Sequence, residues 1–268
     1  MHPPVTLELA DGVALVGLPR AAKGNAIDLS LASALRDVTA EVAETPDVGA
    51  VVLFGHGAQF CVGGDLATFG RADAPGKLLA ELAATAHEAI LGLRSLPVPV
   101  VSAVHGACAG GGIGFALAAD IVLAERTARF LVAYTAAGLS PDCGVSWALT
   151  RVLGPARAND LILTNRQVDG TEAERLGLVS RSVEPGTART EATQLAASLA
   201  QGPRTALAAS ARLVRDAGNR SLREHLDHEA RSIAALIETP DGQEGVDAFL
   251  DKRAPRFTGP ERKHHDHE

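Results

Sequence analysis

Gly110-Gly111-Gly112-Ile113-Gly114 follows the apolar run 98–104, Val-Pro-Val-Val-Ser-Ala-Val, five residues on, and directly precedes the amphipathic stretch 115–119. A strand that breaks into consecutive glycines and restarts as a helix leaves backbone N–H groups unpaired, aimed into whatever cavity the turn lines. Such donors suit a developing oxyanion. A second glycine turn, Phe60-Cys-Val-Gly-Gly-Asp65, follows the other strongly apolar strand candidate, 50–54, and can bring another bare N–H to the same place. Two donors of this kind form an oxyanion hole. Taken singly, each glycine is equally readable as a turn that needs positive φ and binds nothing.

Around these turns the pattern is of α/β type. Residues 5–9 and 13–18 read as a hairpin through Asp11-Gly12. Residues 30–42 read as a helix with Leu31, Leu35, Val38 and Val42 on one face and Asp28 or Ser30 as N-cap. Strands at 50–54, 98–104 and 120–124 are each followed by a glycine turn or a helical pattern, a repeated β, β, α arrangement. The small, polar stretch 70–76 predicts a flexible loop beside the site, leading into a helix over 77–93. From about residue 203 the pattern is helical throughout: 203–217, 221–237 with Leu222, Leu226, Ile233 and Ile237, and 241–251. That apolar helical surface packs either on its own core or on another subunit.

With 268 residues, 46% of them hydrophobic, the chain can bury a substantial core. No apolar run reaches the ~20 residues a membrane helix needs, and the Met-His-Pro-Pro start lacks a signal pattern, so the expected compartment is the cytoplasm, with no membrane partner. A net charge of −7 and 3% aromatic residues offer neither a basic stripe nor stacking rings for nucleic acid. Cys61, Cys108 and Cys143 show no metal-ligand spacing and read as buried reduced thiols. The tail 263–268, rich in histidine, is expected to be an untethered charged end, and no metal site is assigned.

Several motifs in fixed order resemble the crotonase superfamily, also called the enoyl-CoA hydratase/isomerase family. They are Lys23-Gly-Asn-Ala26, Phe60-Cys-Val-Gly-Gly-Asp-Leu66, the run 98–106, the glycine run, Ala128-Arg-Phe130, Gly138-Leu-Ser-Pro-Asp-Cys-Gly144 and the segment 245–253. The resemblance implies an α/β fold, a crotonase-type spiral of ββα units over 1–200 with an acyl-CoA site, followed by a C-terminal helical trimerisation region over 201–268. A trimer or a dimer of trimers is the implied assembly. The implied substrate is an acyl-CoA thioester, with no further cofactor. By motif position its carbonyl falls between the N–H groups of Gly64 and Gly111. Contacts to CoA fall on Lys23, Ala26, Asp65, Leu66, Phe249 and Lys252, the last of them from the same or another chain. As bare residues, Lys23 and Lys252 are equally readable as solvated charges.

What departs from the family pattern is informative. Hydratases of the family resemble Gly-Gly-Gly-x-Glu in the glycine motif and Pro-Glu shortly after Ala-Arg-Phe, where this chain has Gly114 and Tyr134. Without that carboxylate pair, ordinary addition of water has neither general base nor general acid. Asp142 stands where most hydratases resemble Pro-Gly-Gly. It is readable as a helix N-cap, but Ser140-Pro-Asp-Cys-Gly-Val-Ser-Trp147 resembles the family's isomerases of phenylacetate degradation, and so does the segment 245–253. The expectation is an enoyl-CoA isomerase in which Asp142 shuttles one proton, with Tyr134 and His87 at the substrate pocket. A second resemblance, to 4-chlorobenzoyl-CoA dehalogenase, would make Asp142 a nucleophile and His87 the activator of water. Thioester hydrolysis and a non-catalytic CoA-binding or scaffolding paralogue are the further alternatives.

Overall fold

The computed structural model describes residues 3–258. The tail 263–268 lies outside them. Asp11 and Gly12 both take positive φ, 51° and 76°, and close the hairpin of β1 (Thr6–Ala10) and β2 (Val13–Leu18). A two-residue turn with left-handed torsions matches the twist of an antiparallel pair. From β2 onward the pairings of the main sheet are parallel: β2 with β3 (Ala50–Gly55), β3 with β4 (Val100–Val104), β4 with β6 (Ile121–Glu125) and β6 with β9 (Arg181–Val183). The strand order is β1-β2-β3-β4-β6-β9. Strands β2, β3 and β4 are buried along their whole length, as near-continuous runs of valine and leucine require when both faces are covered.

One face is covered by α7 (Ala188–Ala200), which lays Ala188, Ala192, Ala196 and Ala200 against Val13, Val52, Phe54 and Val101. Spaced four apart, these methyl groups form a single stripe and let the helix approach the sheet closely. The other face carries α1 (Leu29–Ala43) and α3 (Pro75–Ser95). Asp28 caps α1, its Oδ1 accepting from the Leu31 N–H at 2.9 Å.

A second sheet, β5 (Ala107–Ala109), β7 (Arg129–Leu131) and β8 (Val168–Asp169), grows from the end of β4. The segment after β3 zips onto β5: Phe60 N–H donates to His105 O, Cys61 N–H to Ala107 O, and Ala109 N–H back to Cys61 O. That zipper lays the two glycine turns side by side. The sequence placed the helical restart at 115, but α4 spans Gly111–Leu117, so the glycines form its first turn. Gly110 takes φ 50° and ψ −129°, a conformation open to glycine and costly for any other residue.

Beyond Gly144 the chain forms α5 (Val145–Thr164), which runs through a kink at Gly154 and Pro155. It is followed by α6 (Gly170–Leu176), α8 (Arg204–Asp216), α9 (Leu222–Ile237) and α10 (Pro240–Leu250). The last three helices expose Val214, Leu222, Ile233, Phe249 and Leu250.

The alanine stripe of α7 yields the first prediction. Ala192 is fully buried, so Ala192→Leu should overpack the contact with the sheet and cost about 1–3 kcal/mol. Urea titration would show it as a lowered midpoint, whereas an unchanged midpoint would mean that α7 stands off from the sheet.

Candidate active site

The short segment before α1 organises the first glycine turn. Asn25, fully buried and at φ 57°, donates its Nδ2 group to the carbonyls of His56, Gln59 and Phe60 at 2.9, 2.7 and 3.1 Å. Its own carbonyl accepts from the Cys61 thiol. Below it, Arg20 pairs with Asp28 at 2.7 Å, reaches Asp65 at 3.4 Å and donates to Ala26 O at 2.6 Å. Lys23 also pairs with Asp65, at 3.0 Å, and that hydrogen bond outweighs burial to hold the Asp65 carboxyl below its ordinary range. Four charges therefore tie residues 20–28 to the loop after β3.

Ile27 bridges Gly64 in parallel register: its N–H donates to Gly63 O and its carbonyl accepts from Asp65 N–H. Successive N–H groups of an extended segment point to opposite sides, so the Gly64 N–H faces away from Ile27. Gly111 is the first residue of α4, and its N–H has no acceptor within the helix. Among the described residues, neither N–H donates to another backbone carbonyl in a turn or loop. The turns touch: a Cβ on Gly63 would sit 3.0 Å from Ala109 O and 3.4 Å from Gly111 N.

Both glycines line a cleft of about 390 Å³. Its walls are apolar: Ile27 and Val62, Leu66 and Phe69 of the short helix α2 (Leu66–Phe69), Leu79 and Leu82 of α3, and Val132, Ala133, Ala137 and Leu139. Asp142 is the charged residue among those that line it. Tyr134 and Cys143 complete the polar end.

Asp142, Cys143 and Gly144 form a tight turn, with Cys143 at φ 51°, Gly144 at φ 69° and Asp142 O accepting from the Val145 N–H at 3.0 Å. The N-cap of α5 is Gly144, without a side-chain cap. The capping reading of Asp142 is thereby corrected, because its carboxylate turns instead to Tyr134, whose O–H donates to Asp142 Oδ1. Burial first, and then the Asp142 charge, push the Tyr134 phenol well above its ordinary value. Burial likewise raises the Cys143 thiol, with Asp142 adding to it, and lifts Cys61 to about 12. Both shifts favour the neutral thiol.

His87, expected at the substrate pocket, stands behind the wall. It is not among the lining residues, and its Nε2 accepts from the Cys143 N–H at 3.1 Å. Donor atoms of His87, Asp142 and Cys143 lie within 4.8 Å of one another. That spacing alone would admit a metal ion, yet the His87 Nε2 is already engaged by the Cys143 amide, and burial disfavours the thiolate a metal would need.

The place beside Gly114 is filled. A Cβ there would overlap the Cys143 carbonyl oxygen and come within 2.8 Å of its Cβ. A Cβ on Gly111 would meet Cys143 Sγ at 3.0 Å. The turn carrying Asp142 thus rests directly on the glycine face of α4.

Of the positions assigned to CoA by resemblance, Leu66 is on the cleft and 56% exposed. The Ala26 carbonyl and Asp65 carboxylate are engaged within the protein, and Lys23 lies over Asp65 with its side chain largely exposed. Phe249, 83% exposed, and Lys252, at φ 55°, belong to the end of α10 and do not line this cleft. Sequence reasoning missed Arg20 and the threefold clasp of Asn25. An Asn directly after Gly24 was the available signal, since Asn tolerates the left-handed region.

The model of the enoyl-CoA hydratase/isomerase family matches residues 8–260. A protein of Rhodobacter capsulatus named a probable enoyl-CoA hydratase is 37% identical over 257 residues, covering 95% of this chain and 98% of that one. The 1,2-epoxyphenylacetyl-CoA isomerase of Escherichia coli is 34% identical over 251 residues, covering 92% and 95%. The crystal structure of an enoyl-CoA hydratase from Polaromonas sp. JS666 superposes with a TM-score of 0.90 at 32% identity, covering 94% of this chain and 98% of that one. The chain belongs to the enoyl-CoA hydratase/isomerase family and has the crotonase fold.

The filled site beside Gly114 is open to test. Gly114→Glu should not produce hydration of crotonyl-CoA, because the new side chain must displace the Cys143 turn and Asp142 with it. The expected result is a lowered melting temperature and loss of whatever activity the parent has. Recovery of hydration by this one change would show that the space is free.

Proposed function

We propose that this chain is an enoyl-CoA isomerase that moves a double bond in a β,γ-unsaturated or ring-derived acyl-CoA, with Asp142 as the single proton shuttle. The observation that carries the reading is the cleft itself: one carboxylate, Asp142, shares it with Gly64 and Gly111, whose N–H groups lack turn or loop carbonyl partners.

The chemistry balances with one base. With the thioester oxygen between the two N–H groups, Asp142 removes a proton from the carbon next to the carbonyl, and the electron pair moves into a dienolate whose oxygen the two donors stabilise. Removing one such donor typically costs about 3–4 kcal/mol. The protonated Asp142 then returns the same proton to the distal carbon, the double bond shifts, and the carboxylate is regenerated. No water is consumed and no metal or redox cofactor is needed. Gly114 and Tyr134 leave no carboxylate pair at the hydratase positions, in keeping with this reading. The dehalogenase alternative requires His87 to activate water, a role that the Cys143 amide already contests.

CoA would lie across the cleft mouth past Leu66 and Lys23. Phe249 and Lys252, which do not line the cleft of their own chain, suit a trimer in which the end of α10 reaches a neighbouring subunit's site. Covering Val214, Leu222 and Ile233 in the same assembly would remove their exposure to water.

Two predictions follow from this arrangement. Incubated in deuterated water with β,γ-unsaturated acyl-CoAs, the protein should isomerise them and exchange carbon-bound hydrogen, while Asp142→Asn should turn over at least ~10²-fold more slowly with CoA-ester affinity retained. Release of free CoA would identify a hydrolase, and neither exchange nor release a binding protein. Calorimetric titration should show CoA thioesters binding far more tightly than the corresponding free acids. Equal affinities would remove CoA recognition from the proposal.

A further inference from the structure

We propose that Tyr134 is a positioning residue for Asp142, fixing the carboxylate relative to the glycine turn that carries the Gly111 N–H. The proposal rests on the reading of Asp142 as the base. Tyr134 follows Ala133, which is held at φ 65°, and opens the 3-10 turn Thr135–Ala137. Its backbone is pinned at both ends: its N–H donates to Val132 O at 2.9 Å, and its carbonyl accepts from Ala137 and Leu139 at 3.0 Å each. The ring leans over the glycine turn, with Cζ 3.9 Å from where a Cβ on Gly110 would stand. At its far end the O–H donates to Asp142 Oδ1, 3.5 Å from the Asp142 carbonyl oxygen as well. One rigid ring therefore spans from the turn that would hold the substrate oxygen to the group that would move the proton.

The bond divides the carboxylate. With Oδ1 held by the phenol, rotation about the terminal torsion, which is otherwise soft, is restrained and the position of Oδ2 is set with it. The other donor at the carboxylate is the Cys143 thiol, a weaker one. From α3, His87 holds the same turn through the Cys143 N–H. α4 and the loop after β3 present glycines to this end of the cleft. Buried beside a carboxylate, the phenol keeps its proton, which makes it a standing donor and not a proton carrier in the reaction.

Catalysis by a carboxylate depends steeply on where its oxygen sits, since misplacement by about 1 Å can cost ~10²-fold. Tyr134→Phe keeps the ring and removes the donor. Isomerisation of a β,γ-unsaturated acyl-CoA should lose ~10- to 100-fold in kcat, with KM within about threefold and the melting temperature close to that of the parent.

A double-mutant cycle with Asp142→Asn separates positioning from other roles. If Tyr134 acts through Asp142, Tyr134→Phe should cost less than about twofold in the Asp142→Asn background, read by slow deuterium exchange into the acyl-CoA. Multiplying penalties would mean that Tyr134 acts on substrate or on the fold, and would overturn the proposal. Unchanged kcat in Tyr134→Phe would overturn it too. Full activity of Asp142→Asn alone would instead remove the base assignment on which the proposal rests, whatever Tyr134→Phe does. CoA-ester affinity measured on all four proteins controls for folding.

Discussion

The closest constraint in this fold is the contact between two backbone turns. Gly63 lies against Ala109, Gly110 and Gly111, so that a Cβ on it would stand only 3.0–3.4 Å from their backbone atoms. This approach brings N–H groups from two separate strand ends to one cleft, and the positive φ of Gly63 and Gly110, 91° and 50°, favours glycine at both turns. The rest of the molecule serves to hold the turns in register. Parallel pairing of β3 with β4 sets the strands abreast, and the zipper from Phe60 to Ala109 carries that register beyond the sheet. Asn25 then clasps the outer turn by three carbonyls.

That clasp sits next to an ion-pair network whose worth is organisational. Asp65 is buried between Arg20 and Lys23, and Arg20 also reaches Asp28, the cap of α1. Ion pairs near a surface add little net stability. Here they link the start of α1 to the loop that carries Gly64. A shift in one would be felt in the other, which is why residues remote from the cleft chemistry still shape it.

Much of this was legible in the chain. Alternation between apolar runs, glycine turns and helical stripes marks the parallel sheet, and the hairpin at Asp11-Gly12 needs only the turn residues to be read. Asp142 and Tyr134 could be singled out because they replace, or add to, an expected pattern of carboxylates. What stayed hidden was pairwise. Nothing local says that the Asp142 carboxylate turns to Tyr134 and not to the N-terminus of α5, because donors of both kinds lie within eight residues of it. His87, 55 residues upstream of Asp142 by numbering (142 − 87), reads as a pocket or catalytic histidine until its Nε2 is seen to accept from Cys143. The kink at Gly154 and Pro155 likewise hid that α5 runs on to Thr164, since Pro normally ends a helix.

The Gly114 and Cys143 contact shows why the departure from hydratase chemistry is more than a missing side chain. A glutamate at 114 and a Cys143 turn packed on α4 compete for one volume. Cys143 also pays a conformational cost, since a non-glycine residue at φ 51° is strained by roughly 1–2 kcal/mol. The turn can persist there because the glycine at 114 admits it, His87 binds its amide and Tyr134 binds the neighbouring carboxylate. Glycine at 114, tyrosine at 134 and aspartate at 142 are thus parts of one packing solution. A chain that changed them one at a time would pass through states with either an overlapping glutamate or an unsupported left-handed cysteine, so the proposed one-base chemistry and the loss of the carboxylate pair belong to the same structural alternative.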